Sequence, residues 1–282
     1  NHYLPMGFMT NSALASWQVD ENEDQFNPFD KQNEFFKLAT GIKNDVYTPL
    51  DVVSQGHTDY NQFPVNKTGY GRYSFSCTDT TVTPHVKWNY EAPKDGLYLM
   101  YADISGGDDV TVMINDVAQS KTYGMGRSYI ACIGQCKKGD KISVYSNLQQ
   151  GQSGSAMVFV DVLNQDVFEE GYNKLSKSVM TTTKLTGSSM EGTINAQENG
   201  LFYTSVPYEE GWKAYVDGKE VKITPVGNAL VAFNLAKGEH TIKLEYYPKG
   251  FAIGLTVTII CAATFAFLCV WTYIIKKRRK KK

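Results

Sequence analysis

The residue types that most often carry enzyme chemistry are spread along this chain without a recognisable grouping. Acid pairs occur at Glu169/Glu170 and Glu209/Glu210, but sequence neighbours point apart, so we expect these carboxylates to face solvent. The histidines belong to no metal-ligand or nucleophile motif: His2, His57, His85 and His240. The chain also contains no Gly-x-Ser-x-Gly elbow, phosphate-binding loop or dinucleotide fingerprint. We therefore predict no catalytic residue, no metal site and no cofactor in this chain.

Aromatic side chains offer a different chemistry, the stacking of sugar rings. Phe, Trp and Tyr make up 13% of the chain, and a strand-rich sandwich that exposes such rings is a common way to bind carbohydrate. Trp88 and Tyr101, each in a predicted strand, are the candidates in the first half of the chain. Packing in a core or across neighbouring strands is the commoner role of these rings, and both interpretations stay open.

The C-terminal end has the composition of a membrane anchor. Phe251–Ile275 contains no charged residue, and seven cations follow directly at 276–282. A helix that crosses the hydrocarbon core needs roughly 20 mainly apolar residues, and Trp271 and Tyr273 lie where such rings favour the headgroup level. Because short basic flanks stay inside, we predict a transmembrane helix over 251–275 and a cytoplasmic tail at 276–282. Residues 1–250 would then be extracytoplasmic.

The charge of residues 1–250 excludes one class of partner. Of the 28 Lys and Arg residues, the tail holds 7, which leaves 21 against 29 Asp and Glu. Nucleic-acid binding needs Lys and Arg that displace the counterions of phosphates. We therefore predict no nucleic-acid partner for this acidic region.

The start of the chain points to a longer protein. The sequence begins at Asn1 with neither an initiator methionine nor a signal peptide. Since nothing in the sequence could carry residues 1–250 across a membrane, we expect a C-terminal region whose upstream part is inserted in the membrane.

The pattern of short apolar runs and turns predicts a mainly β chain with two β-sandwich domains. Short alternating strands over 51–165 favour a jelly-roll-like sandwich, and those over 178–250 favour a smaller immunoglobulin-like one. A connector helix is predicted over 166–177. Residues 1–50 are predicted to form a membrane-proximal segment with a short helix at 28–40.

Two local signals support these elements. Asn27 is a good N-cap, Pro28 suits the first helical position, and Gly41 closes the helix. Asp217-Gly218 between alternating strands predicts a tight hairpin, since Gly supplies a positive φ.

The cysteines outside the anchor leave the disulfide state open. Cys77, Cys132 and Cys136 could supply one pair in an oxidising exterior. Cys132 and Cys136 are too close in sequence to pair unless Gly134 lets the chain turn back. Thiols that never pair are the alternative.

The most specific pattern in the chain is the segment Ser205–Lys219, which reads Ser-Val-Pro-Tyr-Glu-Glu-Gly-Trp-Lys-Ala-Tyr-Val-Asp-Gly-Lys. It resembles the C-terminal region of the YfhO family, polytopic bacterial membrane proteins related to the C-type glycosyltransferases. The resemblance extends from about Tyr3 to the end, with gaps in the 50–150 region. Shorter segments share it: Asn27–Gly41, Val167–Glu170, Gly238–Ile242 and Tyr246–Phe251.

The resemblance implies a transferase in the bacterial cell membrane. Such an enzyme moves a sugar from a polyprenyl-phosphate donor to lipoteichoic acid or another envelope polymer outside the membrane. Its catalytic acid lies in early loops of the membrane part, which this sequence does not include. This chain would then be an accessory region that positions the acceptor or caps the membrane active site. Its partners would be membrane lipid, the upstream membrane helices of the same protein, and a glycan or teichoic acid polymer.

The resemblance also singles out residues of this chain. Turn geometry and sandwich packing account for five of them: Gly211, Asp217, Gly218, Gly238 and Pro248. Tyr208 and Trp212 could instead line a rim near the membrane that faces a sugar or a lipid headgroup. The competing interpretation of the whole chain is a non-enzymatic, single-pass surface protein with carbohydrate-binding β-sandwiches.

Overall fold

The computed structural model describes residues 2–18, 27–57, 65–77, 81, 84–123, 129–151 and 153–279. The chain divides into two compact units. The first unit comprises His2 and Asn11–Ser176, and the second comprises Tyr3–Thr10 and Lys177–Lys282.

Strands dominate both units, as the sequence predicts. Three α-helices interrupt them within the described residues: α1 (Pro28–Thr40), α2 (Gln165–Leu175) and α3 (Phe251–Arg279). The strands in chain order are β1 (Gly7–Thr10), β2 (Tyr47–Pro49), β3 (Ser54–His57), β4 (Val65–Gly69), β5 (Arg72–Ser76), β6 (His85–Glu91), β7 (Gly96–Ile104), β8 (Gly107–Ile114), β9 (Val117–Tyr123), β10 (Ala131–Cys136), β11 (Lys141–Leu148), β12 (Ser153–Leu163), β13 (Thr181–Thr186), β14 (Ser189–Ala196), β15 (Gly200–Pro207), β16 (Trp212–Val216), β17 (Lys219–Val221), β18 (Leu230–Leu235) and β19 (Gly238–Tyr246).

The first unit is a sandwich of two antiparallel sheets. One sheet has the order β10-β7-β12-β5-β4 with β2 added to β12, and the other has the order β3-β6-β11-β8-β9. Alternation along the strands builds the core, because every second side chain points to the facing sheet. In β6 the inward positions are Val86, Trp88 and Tyr90, and in β12 they include Val158 and Val160.

Helix α1 begins and ends where the sequence predicts. The Asn27 side chain accepts a hydrogen bond from the Phe29 amide at 3.0 Å, and Gly41 closes the helix in the left-handed region with φ 72°. Helix α2 spans Gln165–Leu175, where the sequence analysis places a connector helix over 166–177. Gly171 lets the two helices approach closely, because a Cβ at this position would lie 2.2 Å from the Phe36 ring of α1.

Helix α1 lies on the outer face of the six-stranded sheet and is fastened to β2, a strand of that sheet. Asn33 of α1 donates to the Tyr47 carbonyl at 3.0 Å and accepts from the Tyr47 amide at 2.8 Å, as a neighbouring strand would. Below them, Phe29 packs with Tyr101 and Phe159 in a second apolar cluster. Through these contacts α1 and β2 join the first unit.

The second unit is a smaller sandwich. Its sheets have the orders β1-β15-β18 and β13-β14-β19-β16-β17, and their inner faces share one core in which Phe202 and Phe233 lie 5.1 Å apart between ring centroids. Strand β1 is the unexpected member. The sequence predicts a single N-terminal segment over 1–50, whereas the structure pairs Gly7–Thr10 with β15 and packs the residues from Asn11 onward in the first unit.

The outer face of the five-stranded sheet in the second unit is covered by charges. Three ion pairs cross or follow its strands: Lys184–Glu191 at 3.2 Å, Lys213–Glu220 at 3.6 Å and Lys243–Glu245 at 2.6 Å. Pairs this exposed contribute on the order of 0–1 kcal/mol each. The face is therefore a solvated surface, and the apolar side of the sheet points into the core.

Helix α3 follows the second sandwich. Ile253–Arg279 is long and apolar enough to cross a membrane, judged by length and composition. The predicted mainly β chain with short helices and one C-terminal apolar helix is thus confirmed. The helix continues beyond the predicted end at 275 into the basic residues, because Lys and Arg are good helix formers and suit a helix C-terminus.

We expect Asn33→Ala to destabilise the first unit. The change removes two hydrogen bonds and leaves both backbone groups of Tyr47 without their partner, so the free energy of unfolding should fall by about 2 kcal/mol. Thermal unfolding of the full chain in detergent measures this. Gln32→Ala removes an exposed amide one residue earlier and should leave stability within about 0.5 kcal/mol. Equal losses of unfolding free energy in both variants would show that the two hydrogen bonds between Asn33 and Tyr47 contribute nothing to stability.

Candidate functional site

The site lies at the end of the second sandwich from which the apolar helix leaves. Strand β19 ends at Tyr246, and α3 begins at Phe251. An extended chain rises at most ~3.6 Å per residue, so Tyr246 lies within about 18 Å of the helix start. Trp212, the first residue of β16, pairs with Tyr246 in the sheet. Both rings therefore belong to the end of the sandwich nearest to α3.

Three aromatic residues and a carboxylate form what we call the aromatic rim: Tyr208, Glu209, Trp212 and Tyr246. The rings of Trp212 and Tyr246 are 5.2 Å apart between centroids. Tyr208 and Trp212 are half-buried and pack against the core of the sandwich. The Tyr246 hydroxyl donates a short hydrogen bond to the Glu209 carboxylate. That hydrogen bond to an ionised acceptor raises the pKa of Tyr246, because it favours the neutral phenol.

Gly211 makes the rim possible. A Cβ on Gly211 would lie 2.4 Å from the Tyr247 carbonyl oxygen and 2.7 Å from the Tyr246 ring. The Gly211 carbonyl in turn accepts from the Tyr247 amide at 2.9 Å. Glycine therefore allows the loop before β16 to lie directly against the end of β19.

The neighbouring acids of this loop have separate partners. Glu210 forms an ion pair with Lys249 in the segment that leads to α3, whereas Glu209 accepts from Tyr246. The two side chains therefore have different partners: Glu209 holds the loop to the last residue of β19, and Glu210 holds it to the segment after that strand. Pro248 lies in that segment, and its carbonyl accepts from the Phe251 amide at 3.1 Å at the start of α3.

The hairpin motif lies at the other end of β16. Asp217 and Gly218 have φ 50° and 76°, which suits a tight two-residue turn. The Asp217 carboxylate lies 2.8 Å from His240 Nδ1 and accepts from the Thr241 amide at 2.9 Å. Gly238 begins β19 with φ 136°, a conformation that favours glycine. Asp217, Gly218 and Gly238 thus fix the strand pairing and do not join the rim.

The two aromatic candidates of the first unit are interior residues. Trp88 is 0% exposed in the core and packs beside Tyr73 with ring centroids 5.4 Å apart. Tyr101 is 4% exposed and packs against Phe29 and Phe159. Because neither ring offers a face to solvent, any sugar binding by the predicted residues rests on Tyr208 and Trp212.

The sequence analysis did not predict two members of the rim. Tyr246 reads as an ordinary strand-end residue, and Glu209 as one half of a solvated acid pair. Their roles follow from the pairing of β16 with β19, whose partners lie 34 residues apart at Trp212 and Tyr246. Local patterns do not fix such a register.

No group of three or more His, Cys, Asp or Glu side chains in the described part of the chain could hold a metal ion. No disulfide forms there either; Cys132 is exposed and Cys136 is buried on the same strand, β10.

The family model described as "Bacterial membrane protein YfhO" matches residues 1–258. The chain belongs to the YfhO family. Family membership together with the apolar helix α3 supports a location in the membrane. The "Uncharacterized protein YfhO" of Bacillus subtilis (strain 168) is 28% identical over 132 residues, which cover 43% of this chain and 14% of that protein. This YfhO-family chain thus matches only a small part of the length of its relative.

Solved structures resemble the chain only weakly. A Podospora anserina GH26-CBM35 β-(1,4)-mannanase is 11% identical, with 43% of this chain and 28% of that chain covered and a TM-score of 0.25. A GH2 β-galacturonidase from Eisenbergiella tayi is 9% identical, with 71% and 38% covered and a TM-score of 0.23. Similarity at this level does not bear on function.

We expect Gly211→Ala to disrupt the rim of this YfhO-family chain. The added methyl group must displace the Tyr247 backbone and the Tyr246 ring, which should cost about 2 kcal/mol of unfolding free energy. Thermal unfolding of the full chain is the measurement. Gly187→Ala is the matched control, because a Cβ there meets nothing within 4 Å. If the two substitutions cost the same, the close approach at Gly211 is not what requires glycine.

We expect Asp217→Asn to make the stability of the fold less dependent on pH in the acid range. Hydrogen bonds from His240 and from the Thr241 amide hold the pKa of Asp217 below its usual range. The carboxylate therefore stabilises the fold above its unfolded pKa, near 4, and this stability is lost as the pH falls through the lower folded pKa. We expect the variant to have a lower melting temperature than the wild type at pH 7. Its melting temperature should also fall less than that of the wild type as the pH is lowered.

Melting temperatures between pH 7 and pH 3 test this. Asp116→Asn is the control, since Asp116 also has a positive φ of 63° in a turn, but its side chain is 79% exposed and lies 3.8 Å from Lys87. Superimposable profiles for the wild type and Asp217→Asn would contradict the assignment.

Proposed function

We propose that this chain is the extracytoplasmic region of a membrane glycosyltransferase-like protein and that its aromatic rim positions the sugar acceptor beside the membrane. The reaction would transfer a sugar from a polyprenyl-phosphate donor to an envelope polymer such as lipoteichoic acid. The observation that carries the proposal is the half-buried Trp212–Tyr246 pair at the end of the sandwich that leads into α3.

Position supports the proposal. A lipid-linked sugar stays at the surface of the membrane, so a group that guides its acceptor must act close to that surface. The segment 247–250 limits the separation of Tyr246 from the start of α3 to about 18 Å. Trp and Tyr also favour the interface between membrane and water, where one part of the ring is apolar and another is wet.

Chemistry supports it as well. The faces of a sugar ring carry C–H groups that pack on aromatic rings, and its hydroxyls need acceptors. Tyr208 and Trp212 supply partly exposed rings, and the Glu209 carboxylate keeps acceptor positions beyond the one that Tyr246 occupies. The rim thus combines the two types of group that carbohydrate recognition requires.

The charge pattern supports the proposed sidedness. Lys276, Lys277, Arg278 and Arg279 lie in the last turn of α3, and short basic flanks of a membrane helix stay in the cytoplasm. The two sandwiches would then be outside the cell membrane, on the side where envelope polymers are modified.

Trp212→Ala in the full-length protein should weaken acceptor use. Loss of one stacking ring is worth about 1 kcal/mol, so we expect KM for the acceptor to rise roughly three- to tenfold with little change in kcat. The assay follows labelled sugar from polyprenyl phosphate into the polymer in isolated membranes. Trp212→Tyr keeps an aromatic ring and should restore most of the loss.

Tyr215→Ala is the matched control, because Tyr215 lies on the same strand and points to the outer face of the sheet. It should leave KM unchanged. An unchanged acceptor KM in Trp212→Ala, in protein that is folded and inserted, would rule out the rim as the acceptor site. Absence of any transfer by the wild type would instead contradict the proposed reaction.

A further inference from the structure

Asp161 is a buried carboxyl group that the proposed function does not use. It lies in β12 of the first unit and is 1% exposed. Its neighbours in the sheet are Leu99 of β7 on one side and Pro49 of β2 on the other. Within the described residues, its Oδ1 atom is buried and has no hydrogen-bond partner. A buried acceptor without a partner costs free energy, and an ionised one costs far more.

Helix α1 covers this face of the sheet, and β2 lies in the sheet beside Asp161. Phe29 of α1 is fully buried, packs with Phe159 two residues before Asp161, and lies 5.3 Å from the Tyr47 ring between centroids. Asn33 fastens the two elements to each other. Lifting of α1 would therefore expose Asp161 to water.

Among the described residues, the charged and titratable groups around Asp161 do not neutralise it. Asp30 of α1 is a like charge whose field raises the pKa of Asp161. Arg72, the cation that β5 presents on this face, contacts the Met157 sulfur at 2.9 Å instead, four residues along β12. The other groups on the surrounding elements are acids, phenols or lysines already paired with acids: Tyr47, Asp51, Tyr70, Tyr73, Tyr90, Tyr101, Asp103, Lys31 with Glu34, and Lys37 with Asp45.

Burial, and after it Asp30, raises the pKa of Asp161 to about 7. The neutral carboxyl fits an apolar layer without the desolvation cost of a charge. The same group in water would release its proton near pH 4.

We propose that Asp161 is a proton-binding site that couples the docking of α1 on the sheet to the surrounding pH. The docked helix favours the protonated side chain, and the lifted helix favours the ionised one. Docking is therefore strongest below about pH 4, where both states are protonated, and weakens as the pH rises towards 7. Above that pH both states are ionised and the docking strength no longer changes. If lifting hydrates Asp161 fully, the opening equilibrium changes by up to about a thousandfold over this range.

Hydrogen exchange of the full chain in detergent, at pH 5.5 and pH 8, tests the proposal. After correction for the intrinsic exchange rate, peptides covering Pro28–Thr40 and Tyr47–Pro49 should be at least about tenfold less protected at pH 8 in the wild type. Asp161→Asn carries a neutral group of the same shape at every pH. Its protection should be the same at both pH values, and at pH 8 it should exceed that of the wild type.

Asp103→Asn is the matched control, because Asp103 is an exposed carboxylate on the neighbouring strand β7. It should behave as the wild type does. Asp30→Asn provides a second test that leaves Asp161 in place. Removing the like charge should move the midpoint of the pH dependence to lower pH. Equal protection of the wild type at both pH values, or full pH dependence in Asp161→Asn, would overturn the proposal.

Discussion

The pairing of β16 with β19 is the constraint on which the candidate site depends. At one end, the Asp217 carboxylate binds the Thr241 amide and the His240 ring, and at the other the absence of a side chain at Gly211 lets the loop reach Tyr247. Side chains alternate along a strand, so this register alone brings Trp212 and Tyr246 together on the inner face. A slip of β16 by one residue would send its inward side chains, Trp212 among them, to the charged outer face.

The two sandwiches differ in whether an outer sheet face is exposed to solvent or covered by another element. In the second unit, ion pairs such as Lys184–Glu191 keep an outer face in water. In the first unit, α1 covers an outer face, and Asp161 is buried on that face. Burial favours the neutral form of a carboxyl group, so we expect this covered face to respond to pH in a way that a solvated face does not.

Local sequence signals predicted the parts of this fold that are themselves local. The Asn27 cap with Gly41, the Asp217-Gly218 turn and the apolar run from Phe251 each define one element, and each lies where the sequence predicts. Strand β1 was not predicted, because its pairing with β15 joins residues nearly 200 positions apart. The burial of Trp88 and Asp161 could not be predicted from the sequence either. Alternation shows which residues share a face of a strand, but it does not show which face another element covers.

The central claim is that the rim of this YfhO-family chain meets sugar at the membrane. The most direct measurement places a photo-crosslinking aromatic residue at Tyr208 in the full-length protein, in cells that make envelope polymer. The account predicts adducts that carry sugar polymer or lipid-linked sugar, and none from the same group placed at Tyr215. Adducts of equal yield from both positions, or adducts at Tyr208 that contain only protein, would contradict it.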